Sequence, residues 1–402
     1  MMRVVILINF MPLQIRPTMG RSLFLLWSSH LLLDFFTGIW PIYKTIAGID
    51  IAKAGLIAGL SGFLGEMLQI FFGYFSDRGF RKKVMILGLI LASSALWLTF
   101  TDQILVSFFM LLFLMVGSGS YHPAAVGFAG MLSEKKGRNI LLFASGGAIG
   151  LGVSQLAFTK ALDFCGGHAL IFLIPVALVV LMVAIYPMQE QKENKRLSFK
   201  EFIQPLFRAK RPLLLLYISQ VFNFTLITAF MFLLPDLMRA KGCDSWLCMG
   251  GGHLCFILGS AIVLVPAGFL CDRYGHKSVL LIAIFAALLL LYGFLIQPAH
   301  SLEKTVLFLT CLGGFMGTIN PIIVSWGNKI VPESPSTVSG LLMGCAWCLA
   351  NLGATWAGLI AKVITVDPIA TTLALLGLLL ALGFVLILFV PQVKNAKKFI
   401  ET

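Results

Sequence analysis

GYFSDRGFRKK, residues Gly73 to Lys83, is the stretch on which the reading of this chain turns. It gathers Gly, Asp, Arg and Lys into a short polar knot between two long apolar runs. GFLCDRYGHK, Gly268 to Lys277, repeats it one half-chain later. Gly73, Asp77 and Arg78 align with Gly268, Asp272 and Arg273 at an offset of 195 residues. His122-Pro123 aligns with Asn320-Pro321, and Gly146 with Gly344, at an offset of 198. A charged hairpin recurring at equivalent places in two apolar halves is the pattern of an internally duplicated membrane protein.

The composition around the two hairpins agrees. A soluble chain carries about a quarter charged residues; here they are 12%, against 59% apolar, and Phe alone contributes 34 residues. The mean hydropathy is +0.95. Such a chain has too little polar surface to cover itself in water, so its solvent is lipid. The apolar runs are continuous rather than alternating, which excludes a transmembrane barrel. The net charge of +13 does not mark a nucleic-acid surface, because the basic residues are parcelled into short segments between apolar runs.

Twelve stretches have spanning length. Six lie at 22–43, 54–75, 84–101, 104–131, 139–162 and 169–187, and six more at 213–238, 246–270, 278–297, 305–330, 336–361 and 369–390. The expected fold is all-α and integral to the membrane, with twelve transmembrane helices in two pseudo-symmetric six-helix bundles. The domain reading is an N-terminal tail (1–21), a first bundle (22–187), a linker (188–212), a second bundle (213–391) and a C-terminal tail (392–402). In the linker Phe199, Phe202, Ile203, Leu206 and Phe207 recur at near-helical spacing among basic residues, as in an amphipathic helix on a lipid face. The apolar run Val4 to Met11 is too short to span and has no cleavage site after it; Met19 is an alternative start.

If the N-terminus lies inside, the inside segments hold 23 of the 30 Lys and Arg residues. Both termini are therefore expected on the cytoplasmic side of a cell (inner) membrane. Of the eight cysteines, Cys345 and Cys348 mimic a CxxC motif but lie in apolar surroundings with no second pair nearby. They read as small hydrophobes. Cys243 and Cys248 border an outer loop, where free thiols or a disulfide are both compatible with the spacing.

With these residues in view, the chain resembles the major facilitator superfamily, whose loop between helices two and three reads G-x-x-x-D-R-x-G-R-R/K. The first copy supplies Gly73, Asp77, Arg78, Arg81 and Lys82, with Phe80 where Gly is usual and Gly79 one place early. The second keeps Gly268, Asp272, Arg273, Gly275 and Lys277, with His276 for the usual Arg. Within the superfamily, SSHLLLDFFTGIWPIYK (Ser28 to Lys44), GSGSYHPAAVGFAG (Gly117 to Gly130) and GRNILLFASGGAIG (Gly137 to Gly150) resemble the fosmidomycin-resistance branch.

That resemblance implies a secondary transporter of a small organic molecule working by alternating access. Proton-coupled efflux is the first expectation and proton-coupled uptake of a nutrient the second. A membrane sensor that transports nothing is the reading from another class. No HExxH, GxSxG or phosphate-cradling motif occurs, and the polar loops are too short for a catalytic domain, so the chain does not read as an enzyme. The expected partners are a small-molecule substrate, protons and the bilayer, for a functional monomer with no cofactor, metal or nucleic acid.

Asp34 and Glu66 are the two acidic residues deep inside a span, and no Lys or Arg lies as deep. A carboxylate there is expensive unless protonated, paired or facing water, which makes both proton-coupling candidates. His30 precedes Asp34 by four residues, on the same helical face. The pair reads as a proton-coupling or substrate-orienting device, or as a structural tie between helices. Glu66 reads as a second proton site, a contact for a cationic substrate or an interhelical hydrogen bond. His122 and Tyr121, beside Pro123 on a helix that lines the cavity in the superfamily, are candidate substrate contacts. Gln220, Asn223 and Asn320 are their counterparts in the second half. His253 reads as structural, and Trp40, Trp326, Trp347 and Trp356 as packing or stacking residues. Gly73, Asp77, Arg78, Arg81, Gly268, Asp272 and Arg273 are the gating set. A negative charge is favoured at a helix N-terminus, and the resemblance implies that Asp77 meets the start of helix eleven near Ser336 and Asp272 faces helix five near Asn139, clamping the cytoplasmic side shut. Two absences count against efflux by antiport: helix four lacks an Arg, and Gly146, Gly147, Gly150 and Gly152 come without the Pro usual in antiporters. The lack of deep cations also fits poorly with a strongly anionic substrate, unless His30 or His122 supplies the charge.

Overall fold

A computed structural model describes residues 18–132, 136–187, 209–297, 301–332 and 335–391. The linker helix expected within 188–212 falls largely outside these residues, as do most of both tails. The described chain is helical throughout. In chain order the spans are α1 (Met19–Ile46), α2 (51–75), α3 (81–100), α4 (Ile104–Met131), α5 (Lys136–Phe164) and α6 (Leu170–Ile185). The second half repeats them as α7 (Lys210–Ala240), α8 (247–274), α9 (His276–Ile296), α10 (Leu302–Ile330), α11 (335–363) and α12 (Pro368–Leu388). The apolar stretch Ile51–Phe100 is 50 residues long and comprises α2 and α3, joined through the Ser76–Phe80 hairpin.

That hairpin explains why the shifted glycine works. Gly79 has φ 91°, and Gly275 in the second copy has φ 84°. Both turns need a left-handed residue, which costs a Cβ-bearing side chain but not glycine. Phe80, with φ −101° and ψ 10°, keeps a negative φ that a side chain of any size can adopt.

Lipid supplies no hydrophobic drive between helices, so the bundles hold by close packing of small residues. Gly88 of α3 and Gly117 of α4 lie against each other's carbonyl oxygens, and Gly313 of α10 lies on the Phe256 carbonyl of α8. Gly146 and Gly150 of α5 press on the Trp27 and Leu31 carbonyls of α1. Large side chains such as Ile70 and Phe269 point outward, 74% and 73% exposed, as a lipid-facing surface requires.

The two halves meet at the end remote from Met19, Lys210 and Leu388. Along α2 and α11, Gly55 abuts Ala354, Gly358 abuts Ile51, and the Thr355 hydroxyl donates to the Gly55 carbonyl at 3.1 Å. Along α5 and α8, the Thr159 hydroxyl donates to the Met249 carbonyl at 3.1 Å, and His253 Nε2 lies 3.0 Å from the Leu151 carbonyl. Lys362 of α11 pairs with Asp50, which also caps α2 through the backbone N–H groups of Ala52 and Lys53. The Lys362 hydrogen bond, helped by that of Lys53, holds the Asp50 carboxyl below the usual carboxylate range. The tie is thus charged at neutral pH and is lost only as the pH falls through that lowered value.

A Cβ at Gly358 would overlap the Ile51 carbonyl oxygen, whereas one at Gly130 meets nothing within 4 Å. Gly358→Val is therefore expected to part α2 from α11 and raise thiol labelling at the remote end several-fold. Gly130→Ala is expected to leave labelling unchanged. Equal labelling of the two variants would mean that the seam is slack.

Candidate functional site

A cavity of about 530 Å3 lies between the halves. It reaches from the middle of the spans toward the end at which α1 and α7 begin, where Val126 and Ser339 line it. Most of its wall is apolar or aromatic, with Trp40, Phe224, Phe232 and Trp347 prominent. Its polar groups come mainly from the first half: Asp34, Glu66, Gln69, Ser118 and His122, faced by Asn320 and Asn351 of the second.

His30, Asp34 and His122 converge on one point. His30 Nε2 lies 3.1 Å from Asp34 Oδ2, His122 Nε2 lies 3.4 Å from Asp34 Oδ1, and the two Nε2 atoms are 3.2 Å apart. The other face of each imidazole is held by backbone. His30 Nδ1 is 2.8 Å from the Phe143 carbonyl oxygen, and its ring stacks on the Phe143 ring at 4.0 Å. His122 Nδ1 is 3.0 Å from the carbonyl oxygen of Ser118, one turn back along α4. Carbonyl oxygens only accept, so both Nδ1 atoms carry hydrogen. In neutral rings both Nε2 atoms would then turn a lone pair toward the carboxylate. Three acceptors at one point repel unless a cation, a proton in the simplest case, lies among them.

A second group joins the first. The Ser118 hydroxyl is 3.2 Å from His122 Nδ1 and donates to Glu66 Oε1 at 2.8 Å, while Gln69 donates to Glu66 Oε2. Glu66 is 4% exposed, so its two oxygens depend on these partners. Hydrogen bonds thus run from Asp34 through His122 and Ser118 to Glu66, along the cavity wall.

Local chain features make room for the cluster. Gly38 interrupts α1 one turn after Asp34, and its N–H donates back to the Asp34 carbonyl at 3.2 Å. Pro123 lies inside α4 directly after His122. Gly147 faces the cluster across the α1–α5 contact; a Cβ there would fall on the Asp34 carboxylate and the His30 ring.

Several expectations change. His122, read as a substrate contact, joins the His30–Asp34 pair, because its Nε2 turns toward Asp34 while its ring still borders the cavity. Tyr121 is fully buried away from the cavity, its hydroxyl 2.5 Å from that of Ser29, so it braces α4 on α1. Gln220 is also buried and donates to Asn320 Oδ1 at 2.7 Å; of these two only Asn320 lines the cavity. Asn223 is fully buried on α7, outside the lining. Trp40 and Trp347 line the cavity, Trp326 is buried in the core, and Trp356 is half exposed. Cys243 and Cys248 are free thiols.

In the gating set, Asp77 reaches Arg81 at 3.4 Å, and Asp272 reaches Lys329 at 3.7 Å. Arg78 and Arg273 lie over the rings of Tyr74 and Tyr274. Arg81 is buried beneath α4, against Met131 and Gly127. Gly73 faces Pro123, and a Cβ at Gly268 would meet nothing within 4 Å.

One charged pair at the end of a span is buried. Lys44, on the last turn of α1, is 1% exposed. Its Nζ meets the carboxylate of Asp236 on α7 and lies over the Phe232 ring at 4.6 Å. Thr45 donates to the same carboxylate at 3.0 Å, and Arg239 donates to the Thr45 carbonyl at 2.9 Å. No spacing in the sequence signals a pairing across 192 residues.

Two substitutions test these arrangements. Removing one partner of a buried ion pair leaves the other charge unpaired, at a cost of about 3 kcal/mol. Lys44→Met is expected to lower the thermal unfolding temperature in detergent, and Lys44→Asp with Asp236→Lys to recover part of the loss. A swap no better than the single change would show that the pair is not a latch. Gly147→Ala is expected to force the His30 and Asp34 side chains apart and remove solute transport in vesicles, while the protein stays monodisperse. Full activity would mean that the cluster tolerates displacement.

The Major Facilitator Superfamily model matches residues 22–254 and 218–402. The chain is 26% identical over 375 residues to the fosmidomycin resistance protein of Escherichia coli strain K12, covering 87% of this chain and 89% of that one. It is 33% identical over 208 residues to the 4-hydroxybenzoate transporter PcaK of Pseudomonas aeruginosa, covering 49% of this chain and 44% of that one. Its fold superimposes on a crystal structure of the nucleoside transporter NupG with a TM-score of 0.76 at 14% identity, covering 92% of this chain and 99% of that one. Duplicated hairpins, two six-helix halves and a cavity between them accord with these matches, and the chain belongs to the Major Facilitator Superfamily.

Proposed function

We propose that this multi-pass membrane transporter exports a small organic molecule by alternating access, driven by proton binding at Asp34, His30 and His122. The observation that carries the reading is the convergence of two imidazole Nε2 atoms on one carboxylate in the cavity wall. A group of acceptors that requires a proton when closed, and borders an open cavity, is suited to taking up and releasing one. Glu66, linked through Ser118, is the second station. The wall chemistry favours a substrate with an apolar or aromatic body and one polar end. The body fits between Trp40, Phe232 and Trp347, and the polar end fits near Asn320 or Asn351.

The direction rests on the likeness to the fosmidomycin resistance protein, which extends over most of both chains. Uptake is the second reading, favoured by the higher identity to a 4-hydroxybenzoate transporter over about half of the chain. On the charge distribution along the loops, the termini face the cytoplasm of a cell (inner) membrane. The cavity then opens inward, with the seam, the Lys44–Asp236 pair and the Lys362–Asp50 pair as the outer gate. The signature hairpins act in the opposite, outward-open state, and the protein works as a monomer.

Reconstitution into proteoliposomes with a substrate panel, with and without an imposed pH gradient, tests the reading. Gradient-driven flux is expected in the parent protein. In Asp34→Asn it is expected to fall by about two orders of magnitude, while substrate exchange without a gradient persists. Flux indifferent to the gradient and unaltered in Asp34→Asn would sink proton coupling; the sign of the flux separates export from uptake.

A further inference from the structure

We infer that His30, Asp34 and His122 also form a binding site for a borderline divalent transition-metal ion of the zinc or cobalt type. The two Nε2 atoms stand 3.2 Å apart, with Asp34 Oδ2 3.1 Å from His30 Nε2 and Asp34 Oδ1 3.4 Å from His122 Nε2. Taking one donor atom from each residue, all three lie within 4.8 Å of one another. Ligands about 2.0–2.1 Å from a tetrahedral ion stand roughly 3.3 Å from one another, a spacing the imidazole pair already has, and a small turn of the Asp34 carboxylate brings one oxygen to both rings. Two imidazoles and one carboxylate suit zinc, cobalt or nickel. Magnesium and calcium prefer all-oxygen shells.

The groups behind the donors strengthen the case. A metal-binding imidazole characteristically donates its other N–H to a carbonyl or carboxylate, which fixes the tautomer and aims the lone pair. Both rings do so here, His30 to Phe143 and His122 to Ser118. Neither imidazole needs to turn or change tautomer to coordinate. Asp34 and His122 border the cavity, which supplies an entry path and leaves the fourth coordination position for water. Gly147 keeps the volume beside the donors clear. The inference does not rest on the transport reading. It uses the same three lone pairs, for which proton and metal ion are alternative occupants, and coordination is observable without substrate or gradient.

The test is cobalt titration of the purified, untagged full-length protein in detergent, followed by visible spectroscopy. One equivalent of Co2+ is expected to give the ligand-field bands of a four- or five-coordinate ion, without thiolate charge-transfer absorption, and Zn2+ is expected to displace it. His30→Ala and His122→Ala are each expected to weaken binding about tenfold or more, since loss of a ligand costs at least as much as loss of its supporting hydrogen bond. Asp34→Asn, which keeps the side-chain size, provides a third variant should either His change unfold the protein. Cys345→Ser with Cys348→Ser is expected to leave the bands unaltered. No bands at one equivalent, or bands that persist in all three ligand variants, would overturn the site. If the bands appear while transport ignores the pH gradient, the metal site stands and proton coupling fails; the reverse result removes only the metal site.

Discussion

A backbone carbonyl oxygen can accept a hydrogen bond but never donate one, and in this protein two such oxygens determine how the site must behave. The Phe143 and Ser118 carbonyls each engage the Nδ1 of an imidazole. In water either ring would exchange tautomers freely; here the alternative tautomer would set two acceptors against each other. Both Nε2 lone pairs are thereby aimed at Asp34. A neutral pair of imidazoles facing an ionised carboxylate would hold three lone pairs within hydrogen-bonding distance, in surroundings that screen them poorly. The arrangement favours a bound cation before anything is said about function.

Helix packing is what brings these groups together. His30 and Asp34 share a face of α1, but His122 arrives on α4 and the Phe143 carbonyl on α5. Their approach depends on small residues: Gly146 and Gly150 let α5 lie on α1, and the Tyr121–Ser29 hydrogen bond draws α4 toward the same helix. Gly147 contributes by having no side chain at the point where the cluster sits. The same device recurs where the halves meet, with Gly55 and Gly358 flattening the α2–α11 seam. Glycines in this chain therefore mark both places on which its proposed action depends, the site and the gate.

How much of this is legible in residues alone follows from the range of each interaction. Continuous apolar runs and two DR hairpins dictate the twelve-span architecture, because lipid imposes the length and the duplication repeats the turn. The His30–Asp34 pair is legible because four residues make one helical turn. His122 stands out in the sequence, but as a substrate contact, since its partner lies far along the chain and only packing joins them. Ser118 and Gln69 carry no signal for the same reason: nothing distinguishes them from other small polar residues until Glu66 is seen between them. Lys44 reads as an ordinary basic residue at the end of a span. Its burial depends on Phe232 and Asp236 in the opposite half. Phe80, an apparent break in the signature, proves harmless because the turn draws its left-handed residue from Gly79.

The distribution of these groups between the halves bears on how binding is linked to motion. His30, Asp34, His122, Ser118, Glu66 and Gln69 all belong to the first half, so a proton moving among them changes no contact across the cavity directly. The second half faces them with Asn320, Asn351, Trp347 and Phe232. On the proposed reading, a substrate spanning the cavity is what joins the two sets, and it does so against the wall that the proton has left. Closing the open end around an empty, deprotonated site would bring the unpaired acceptors of Asp34 and its two imidazoles into a more enclosed and less polarisable space. That costs more than closing around a site whose lone pairs are satisfied. In export the two ligands alternate, so on the proposed reading either a proton or a substrate in the cavity lowers this cost and permits the movement in its turn. The proposed coupling of a cluster confined to one half then lies in the cost of desolvation rather than in any ion pair that crosses the cavity.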